Sequence, residues 1–287
     1  MADLARGTLS GAHRESMTLE QEMPISGYPD LKALVQAGFF HLILAVIIGF
    51  GVTSRPLHAA GLLRLKTMPP VAPHIAAFPR VVGGTSRRAA ARINRTLTTA
   101  EQGIGCSEEK GTWKRGINVT MRGPHYLSLL ARDDWYCGGA YPDTNATALV
   151  FELQTGAPID WRRLFPTSVI QAAGTGPGGD DSEPIKVSSA ALWEAYARAV
   201  AVDGAQRDEA CGKVMEDQRG GGLMLWPDAA AGGLGIQQAD FPHVIKACGP
   251  PETLEMSVLR KLGLSAEFLA AIEEAHRHRW YDTAKMR

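Results

Sequence analysis

An uncharged apolar run near the N-terminus most constrains this chain, because it decides on which side of a membrane the rest folds. The run extends from Phe39 to Val52 and has 14 residues. A membrane-spanning helix needs roughly 20 apolar residues, whereas the hydrophobic region of a secretory signal peptide needs roughly 7 to 15. We therefore predict that residues 1–60 are a signal peptide with an N-terminal extension, cleaved after Ala60, and that the rest is periplasmic or secreted.

The segment before the apolar run leaves alternatives open. It is 38 residues long and carries both charge signs, which suits an uncleaved anchor in the inner membrane with a cytosolic tail. A translation start at Met17 or Met23 would instead shorten it to an ordinary signal-peptide n-region. A buried core helix is the third interpretation, and the Pro-rich stretch Met68–Pro73 that follows the run disfavours it, because such a stretch is typical of a linker.

The four cysteines all follow the apolar run, as expected for a part of the chain that folds in an oxidising compartment. No two have C-x-x-C spacing, which argues against a zinc knuckle or a thioredoxin-like site. We predict the disulfides Cys106–Cys137 and Cys211–Cys248, because each pair brackets one block of strand-like sequence. Four free buried thiols remain the alternative.

Hydrophobic periodicity predicts an α+β domain of antiparallel sheets with a few packed helices over residues 85–287, preceded by a linker over 61–84. The first helix begins at an N-cap, Thr85 or Ser86, and extends to Gln102. Alternation predicts strands, and the 3.6-residue period predicts further helices. The strands are 79–82, 116–122, 125–132, 147–153, 222–226, 233–237 and 243–248, and the helices are 188–201, 254–262 and 265–281.

Charge and motifs exclude several function classes. Thirty basic residues balance thirty acidic ones, so nothing favours a nucleic-acid partner. The glycine-rich stretch Gly174–Gly179 lacks the residues of a phosphate-binding or dinucleotide-binding loop. The pairs Asp133-Asp134 and Asp180-Asp181 are interpreted as solvated charge, since neither has calcium-loop spacing. We predict no catalytic residue, no cofactor and no metal site.

The block Met121–Phe165 carries the most distinctive pattern. A strand is followed by a Gly-Gly-Ala-x-Pro turn, a second strand ends in Thr-Gly, and Leu-Phe closes the block. This pattern resembles the extracytoplasmic domain family of unknown function that RsiV-type, lysozyme-sensing anti-sigma factors share with some peptidoglycan deacetylases. Many members have His at the position of Tyr141. The residues that match the family motif are Gly138, Gly139, Tyr141, Pro142, Thr155 and Gly156.

The resemblance implies a non-enzymatic envelope domain that senses or binds a partner, either a lysozyme-like protein or peptidoglycan. A cell-wall hydrolase or lysozyme inhibitor, and a membrane-anchored anti-sigma-like regulator, are the alternatives. Contact with a membrane is expected only through residues 39–52, if they are not cleaved. Five tryptophans are interpreted as core residues, whereas an exposed cluster of these tryptophans would indicate glycan binding. They are Trp113, Trp135, Trp161, Trp193 and Trp226.

N-terminal sequencing of the mature protein tests the export prediction. We expect a native start at or near Gly61, because the apolar run is too short to remain as a spanning helix. An intact N-terminus in the membrane fraction would contradict cleavage and favour the anchored regulator.

Overall fold

The computed structural model describes residues 62–106, 111–174, 180–203, 209–239 and 241–282. The apolar run 39–52 lies outside these residues, so its role stays a prediction. The described part combines antiparallel sheets with helices, which confirms the α+β class. None of its helices is long and apolar enough to cross a bilayer.

The first strand lies where the sequence predicted a linker, whereas the second matches the short strand predicted over 79–82. β1 (Arg64–Lys66) pairs antiparallel with β2 (Arg80–Gly83). Leu63 and Phe78 are buried in a hydrophobic core beside them. Residues 61–84 are therefore partly packed: Leu63 and Phe78 find an apolar surface to pack against, whereas Pro69, Pro70 and Pro73 are exposed.

The first helix matches its prediction closely. α1 extends over Arg87–Thr99, and Ser86 caps it by accepting a hydrogen bond from the backbone N–H of Ala89. Ala89, Ile93 and Leu97 are buried along one face, as their spacing of four residues predicts. The helix packs this face into the core that Leu63 and Phe78 also occupy.

Three long strands form the central sheet. β3 (Thr112–Arg122), β4 (Tyr126–Tyr136) and β5 (Asp143–Glu152) pair antiparallel in the order β3-β4-β5. Gly123-Pro124, with a cis peptide bond, forms the turn between the first two. The predicted strands covered only part of this sheet, because the regular alternation breaks towards the end of the sheet at Thr112 and Tyr136.

Successive residues of the central sheet enter two different cores. Leu127 and Leu129 lie in the core under α1, whereas Leu130 lies in the larger core on the opposite face. In β5, Phe151 and Val150 divide in the same way. Because side chains alternate across a strand, the sheet is a middle layer that is buried on both faces.

A buried ion pair lies near one end of this sheet. Arg115 donates two hydrogen bonds to the carboxylate of Asp133, at 2.7 and 2.8 Å, and Trp113 Nε1 donates a third at 2.7 Å. The two charged side chains are 7% and 3% exposed. The interpretation of Asp133 as solvated charge is therefore wrong. Asp133 and Asp134 are neighbours on a strand and face opposite sides, so only Asp134 is exposed.

The second sheet has five antiparallel strands and packs against the central one, where Met224 Sδ lies 3.1 Å from the backbone nitrogen of Ala148. Two helices lie between its strands in the sequence, and two follow its last strand. The remaining elements are β6 (Ala172–Gly174), β7 (Lys186–Ser188), α2 (Ala190–Asp203), α3 (Glu209–Asp217), β8 (Leu223–Asp228), β9 (Gly233–Gln238), β10 (Glu252–Leu254), α4 (Met256–Lys261) and α5 (Ala266–His278). The strand order is β10-β9-β8-β7-β6.

Three local predictions are wrong. The stretch 171–186, predicted as a loop, contributes β6 and the first residue of β7. The cap of α2 is Ser189 rather than Ser188, since Ser189 Oγ accepts from the backbone N–H of Leu192. His243–Cys248 forms a 3₁₀ helix and not a strand, because six residues of mixed polarity suit either structure and tertiary contacts decide.

Gly156, in the turn after β5, has a structural role that requires glycine. Its φ is +70°, a left-handed conformation that favours glycine. A Cβ at this position would lie 2.8 Å from the Cα of Ala89 in α1. The neighbouring Thr155 accepts a hydrogen bond from the backbone N–H of Ala157 at 3.1 Å and so closes the turn. Thr155 and Gly156 therefore allow α1 to approach the central sheet.

Replacing Gly156 with Ala should lower the free energy of unfolding by at least about 2 kcal/mol, because the new Cβ meets both a positive φ and the backbone of α1. Urea denaturation measures this. Gly212→Ala is the matched control: nothing lies within 4 Å of a Cβ there, so the helix α3 should gain roughly 0.5–1 kcal/mol. Equal stability of the two variants would contradict the packing role of Gly156.

Candidate functional site

One end of the central sheet carries a group of aromatic side chains. Trp113 lies opposite Trp135 in the register of β3 and β4, and their rings stack with centroids 5.1 Å apart. Tyr136 at the end of β4 is 40% exposed, and Tyr141 in the following turn is 71% exposed. We call these four residues the aromatic tip. Partly exposed Trp and Tyr are enriched in binding surfaces, because they combine a large apolar area with a polar group.

The tip corrects part of the interpretation of the tryptophans. Trp161, Trp193 and Trp226 are buried, as predicted for core residues. Trp113 and Trp135 are only partly buried and belong to the surface. The exposed aromatic side chains at this end of the sheet are therefore two tyrosines, Tyr136 and Tyr141, beside two tryptophans that are only partly exposed.

Both predicted disulfides are present, and Cys106–Cys137 ends beside the tip. Cys106–Cys137 joins the segment after α1 to the residue that follows Tyr136. Cys211–Cys248 joins α3 to the last residue of the 3₁₀ helix His243–Cys248. No free cysteine remains. Two disulfides indicate a domain that matures in an oxidising compartment.

A cluster of three charged or ionisable side chains connects this 3₁₀ helix to β5. The carboxylate of Asp143 accepts from Lys246 Nζ at 2.7 Å and faces His243 Nδ1 at 2.9 Å. Lys246 also donates to the backbone carbonyl of Thr144 at 2.6 Å. We call Asp143, His243 and Lys246 the Asp143 cluster. Its contacts span about a hundred residues of sequence, so it fixes two distant segments against each other.

The Asp143 cluster also contacts the aromatic tip. The ring of His243 stacks on Tyr141, with centroids 6.2 Å apart. The ammonium group of Lys246 lies 5.7 Å from the centre of the Trp135 ring, within the range of a cation–π interaction. Val244, between them in sequence, is 81% exposed. Through these contacts the Asp143 cluster joins Trp135 and Tyr141 in one surface with aromatic rings and the ammonium group of Lys246.

The pKa of Asp143 is lowered from its ordinary value of 3.8 to about 2. Partial burial opposes ionisation, but the hydrogen bonds from Lys246, His243 and the backbone of Thr144 outweigh it. The carboxylate is therefore ionised at any physiological pH. It acts as an anchor for the side chains of Lys246 and His243 and is poorly suited to general acid catalysis, which needs a pKa near the working pH.

A polar cleft of about 440 Å³ lies next to the aromatic tip. Its walls come from β4, β5, β8, β9, the 3₁₀ helix and the residues on either side of that helix. The polar residues that line it are Arg132, Asp133, Asp134, Thr144, Asn145, Gln237, Gln238 and Lys246. We call it the first cleft. Lys246 lines this cleft and contacts the tip, so the two features adjoin. The volume falls in the range of small-molecule sites, roughly 300–1,000 Å³.

Two buried polar atoms of the first cleft lack a hydrogen-bond partner among the described residues: Arg132 Nε and Gln237 Oε1. The amide nitrogen of Gln237 is directed at the carbonyl of Gly249, 3.4 Å away. Burial lowers the pKa of the Arg132 guanidinium, while Asp134 and Asp228 act in the opposite direction. Arginine stays charged under these conditions, so the cleft contains a fixed cation with an unused donor.

A second cleft, of about 460 Å³, shares Arg132 with the first. Its acidic lining residues are Asp228, Glu252 and Asp282. The carboxylate of Asp228 accepts from the backbone N–H of Ala231 at 3.1 Å and contacts the hydroxyl of Thr253 at 3.5 Å. Within the described ranges, no group of three His, Cys, Asp or Glu side chains is arranged to hold a metal ion.

The six family-motif residues lie in two separate turns. Gly138, Gly139, Tyr141 and Pro142 belong to the turn between β4 and β5, at the aromatic tip, and Gly138 has a φ of +84°. Thr155 and Gly156 lie beyond the other end of β5, against α1. Among the six, only the exposed Tyr141 makes a ring contact within the tip surface.

Sequence reasoning missed the residues that form the first cleft. Arg132, Gln237 and Lys246 lie in three segments far apart in the chain, and none belongs to a recognisable motif. The only local signal was their occurrence in or near predicted strands. A polar side chain on a strand within an apolar block is a reason to look for a buried partner or a cleft.

Comparison with known proteins adds a weak likeness of fold. No family model matches the chain, and no curated protein matches it. Among solved structures, a member of the DUF3298 family from Bacteroides fragilis is similar over 65% of this chain and 68% of its own, with 11% identity and a TM-score of 0.39. At this level we infer neither ancestry nor function from the likeness.

The Asp143 cluster should make stability depend on pH in a defined window. Because the native pKa of Asp143 is depressed, its contribution is present above pH 3.8 and is lost as the pH falls through about 2. Wild-type protein should therefore melt at a higher temperature than Asp143→Asn at pH 5, and the difference should shrink towards pH 2. Thermal unfolding followed by circular dichroism measures it. The Asp143→Asn substitution made in a Lys246→Met background should produce a smaller pH-dependent difference in melting temperature than it does in the wild type. A difference that stays constant from pH 5 to pH 2 would contradict the role of the cluster.

Proposed function

We propose that this chain is an exported envelope protein whose disulfide-bonded domain binds a cell-wall glycan without chemical catalysis. The observation that carries the proposal is the aromatic tip beside the first cleft. Aromatic rings pack against the C–H faces of sugars, and the planar groups of Arg132, Asn145 and Gln237 suit pairs of hydrogen bonds to sugar substituents. Such a combination of apolar surface and few convergent polar groups is typical of ligand sites.

The charge environment supports binding over catalysis in the first cleft. Acid–base catalysis needs a group whose pKa lies near the working pH. The carboxylate of Asp143, at the cleft edge, has a pKa of about 2 and is committed to Lys246 and His243. The two disulfides support the predicted export, since such bonds persist in oxidising compartments.

A cell-wall hydrolase is the second candidate, and the second cleft is the observation that favours it. Asp228, Glu252 and Asp282 line one concave surface, and glycosidases use a pair of carboxyl groups on either side of the scissile bond. Release of reducing ends from peptidoglycan by the purified protein would support this candidate. Loss of that release in Glu252→Gln would assign it to the second cleft.

Titration of the full-length protein with soluble peptidoglycan fragments tests the binding proposal. Tyr141→Ala should weaken binding about tenfold, because truncating a partly exposed anchor at the centre of a binding surface typically costs more than about 1 kcal/mol. Isothermal titration calorimetry measures the affinity. Tyr141 is 71% exposed, so the folded state should tolerate the substitution.

Val82→Ala is the matched control, because Val82 is 53% exposed on β2 and not part of the tip. It should bind the fragments as wild type does. Titration with lysozyme in place of the fragments forms the second arm. Binding to lysozyme alone would replace the glycan by a protein partner, and binding to neither would overturn the proposal.

A further inference from the structure

Basic residues are concentrated in the first elements of the domain. Residues 61–100 contain seven lysines and arginines and no aspartate or glutamate, although the whole chain has thirty basic and thirty acidic residues. The seven are Arg64, Lys66, Arg80, Arg87, Arg88, Arg92 and Arg95. All of them belong to β1, β2 or α1, so this positive charge lies on one layer of the fold.

The exposed side of this layer faces away from the central sheet. α1 and the paired strands β1 and β2 bury Ile93, Leu63 and Val81 in the same core, which covers one face of that sheet. The opposite side of the layer is therefore its outer surface. Six of the seven basic residues are exposed there, and only Arg80 is mostly buried, in an ion pair with Glu101.

The arginines of α1 form a stripe on this outer surface. Arg88, Arg92 and Arg95 follow one another at intervals of four and three residues, which places them on one side of a helix. Arg92 lies 3.1 Å from Asp181, and both side chains are about half exposed, so solvent screens this pair. Among the described residues, neither Arg88 nor Arg95 forms an ion pair with a carboxylate. Their charges are therefore available to an anionic partner.

Apolar side chains lie among the cations. Leu62 and Val82 are 43% and 53% exposed on the β1–β2 side of the layer. Arg64 extends across to β2, where its guanidinium lies against Gly83, the neighbour of Val82. Exposed apolar side chains between cations suit the boundary of a bilayer, because apolar groups insert beside the headgroups while the cations stay at the level of the phosphates. A soluble polyanion would use only the cations.

We propose that this outer surface docks the domain onto a membrane that is rich in anionic phospholipids. We call it the basic face, and it consists of Leu62, Arg64, Lys66, Val82, Arg87, Arg88, Arg92 and Arg95. Each lysine or arginine near an anionic bilayer strengthens binding about fivefold, so several together give stable attachment. This contact is additional to the one expected through residues 39–52. It is independent of glycan binding, whose candidate site uses none of these residues.

Sedimentation with lipid vesicles tests the proposal with the full-length chain. Leu44→Gln and Ile47→Gln are present throughout, so that the apolar run does not insert. The vesicles are equal parts phosphatidylglycerol and phosphatidylcholine, or phosphatidylcholine alone. At about 0.1 M salt the protein should partition at least about tenfold more strongly into the anionic vesicles. At about 1 M salt this preference should disappear, because the Debye length falls from about 10 Å to about 3 Å.

Paired arginine substitutions assign the preference to the basic face. Arg88→Gln with Arg95→Gln should weaken partitioning into anionic vesicles about tenfold or more, because two charges leave the contact. Arg198→Gln with Arg277→Gln is the matched control. It removes the same charge from the exposed sides of α2 and α5, which pack into the core on the other face of the central sheet. The control should stay within about twofold of the parent protein, and thermal unfolding confirms that each variant is folded.

An apolar pair of substitutions separates a bilayer from a soluble polyanion. Leu62→Ala with Val82→Ala should weaken partitioning into anionic vesicles about fivefold, since less apolar surface is inserted. Long-chain inorganic polyphosphate is the second probe, and its binding should not change in this variant. If the apolar pair has no effect on vesicles while polyphosphate binds in competition with them, the face binds soluble polyanions and the proposal is overturned.

Two further outcomes overturn membrane docking. One is equal partitioning into the two kinds of vesicle, and the other is the same loss in both arginine pairs, which would show that only net charge matters. Either result leaves the glycan-binding proposal intact, because the aromatic tip and the first cleft are unchanged in all these variants.

Discussion

The β3–β4–β5 sheet is buried on both faces, and the rest of the fold depends on this burial. One face packs under α1, β1 and β2, and the other packs against the second sheet and its helices. Neither side can form its core without the shared middle layer, which makes the domain one cooperative unit around long antiparallel strands. The ion pair of Arg115 and Asp133 continues the burial of the sheet towards its end, where charged side chains replace apolar ones. Its hydrogen bonds, including that from Trp113, compensate for the burial of two charges.

The same end of the sheet is where the candidate site is assembled, and this is a consequence of the strands' length. Beyond the two cores the strands continue to Thr112, Tyr136 and Asp143, so their ends project a surface that no other layer covers completely. Two disulfides and the Asp143 cluster fix the loops that surround this surface. Loops without such ties would lose conformational entropy on binding a ligand. The ties therefore favour a preorganised binding surface.

Arg132 belongs to both candidate sites. It lines both clefts, with Asp134 on one side and Asp228 on the other. Its positive charge offsets those carboxylates, and its unpaired Nε leaves it with hydrogen-bonding capacity that the described residues do not use. A ligand that lies along both clefts would contact this guanidinium at its centre. Binding and hydrolysis thus share one structural element and differ in whether the carboxylates of the second cleft take part.

The sequence by itself determined the elements whose formation depends on local patterns. The capped helix α1 follows from Ser86 and the spacing of Ala89, Ile93 and Leu97, and the central strands follow from alternation around Gly123-Pro124. The disulfide pairing followed from the blocks that the cysteines bracket. Only the tertiary structure decided that Leu63 and Phe78, on either side of the Pro-rich stretch, join the core, and that His243–Cys248 forms a 3₁₀ helix. It likewise decided that Asp133 is buried while Asp134 is not. It also decided that Arg132 and Gln237 share a cleft. The physical reason is that such features arise from contacts between strands and loops distant in sequence, on which neither periodicity nor local propensity carries information.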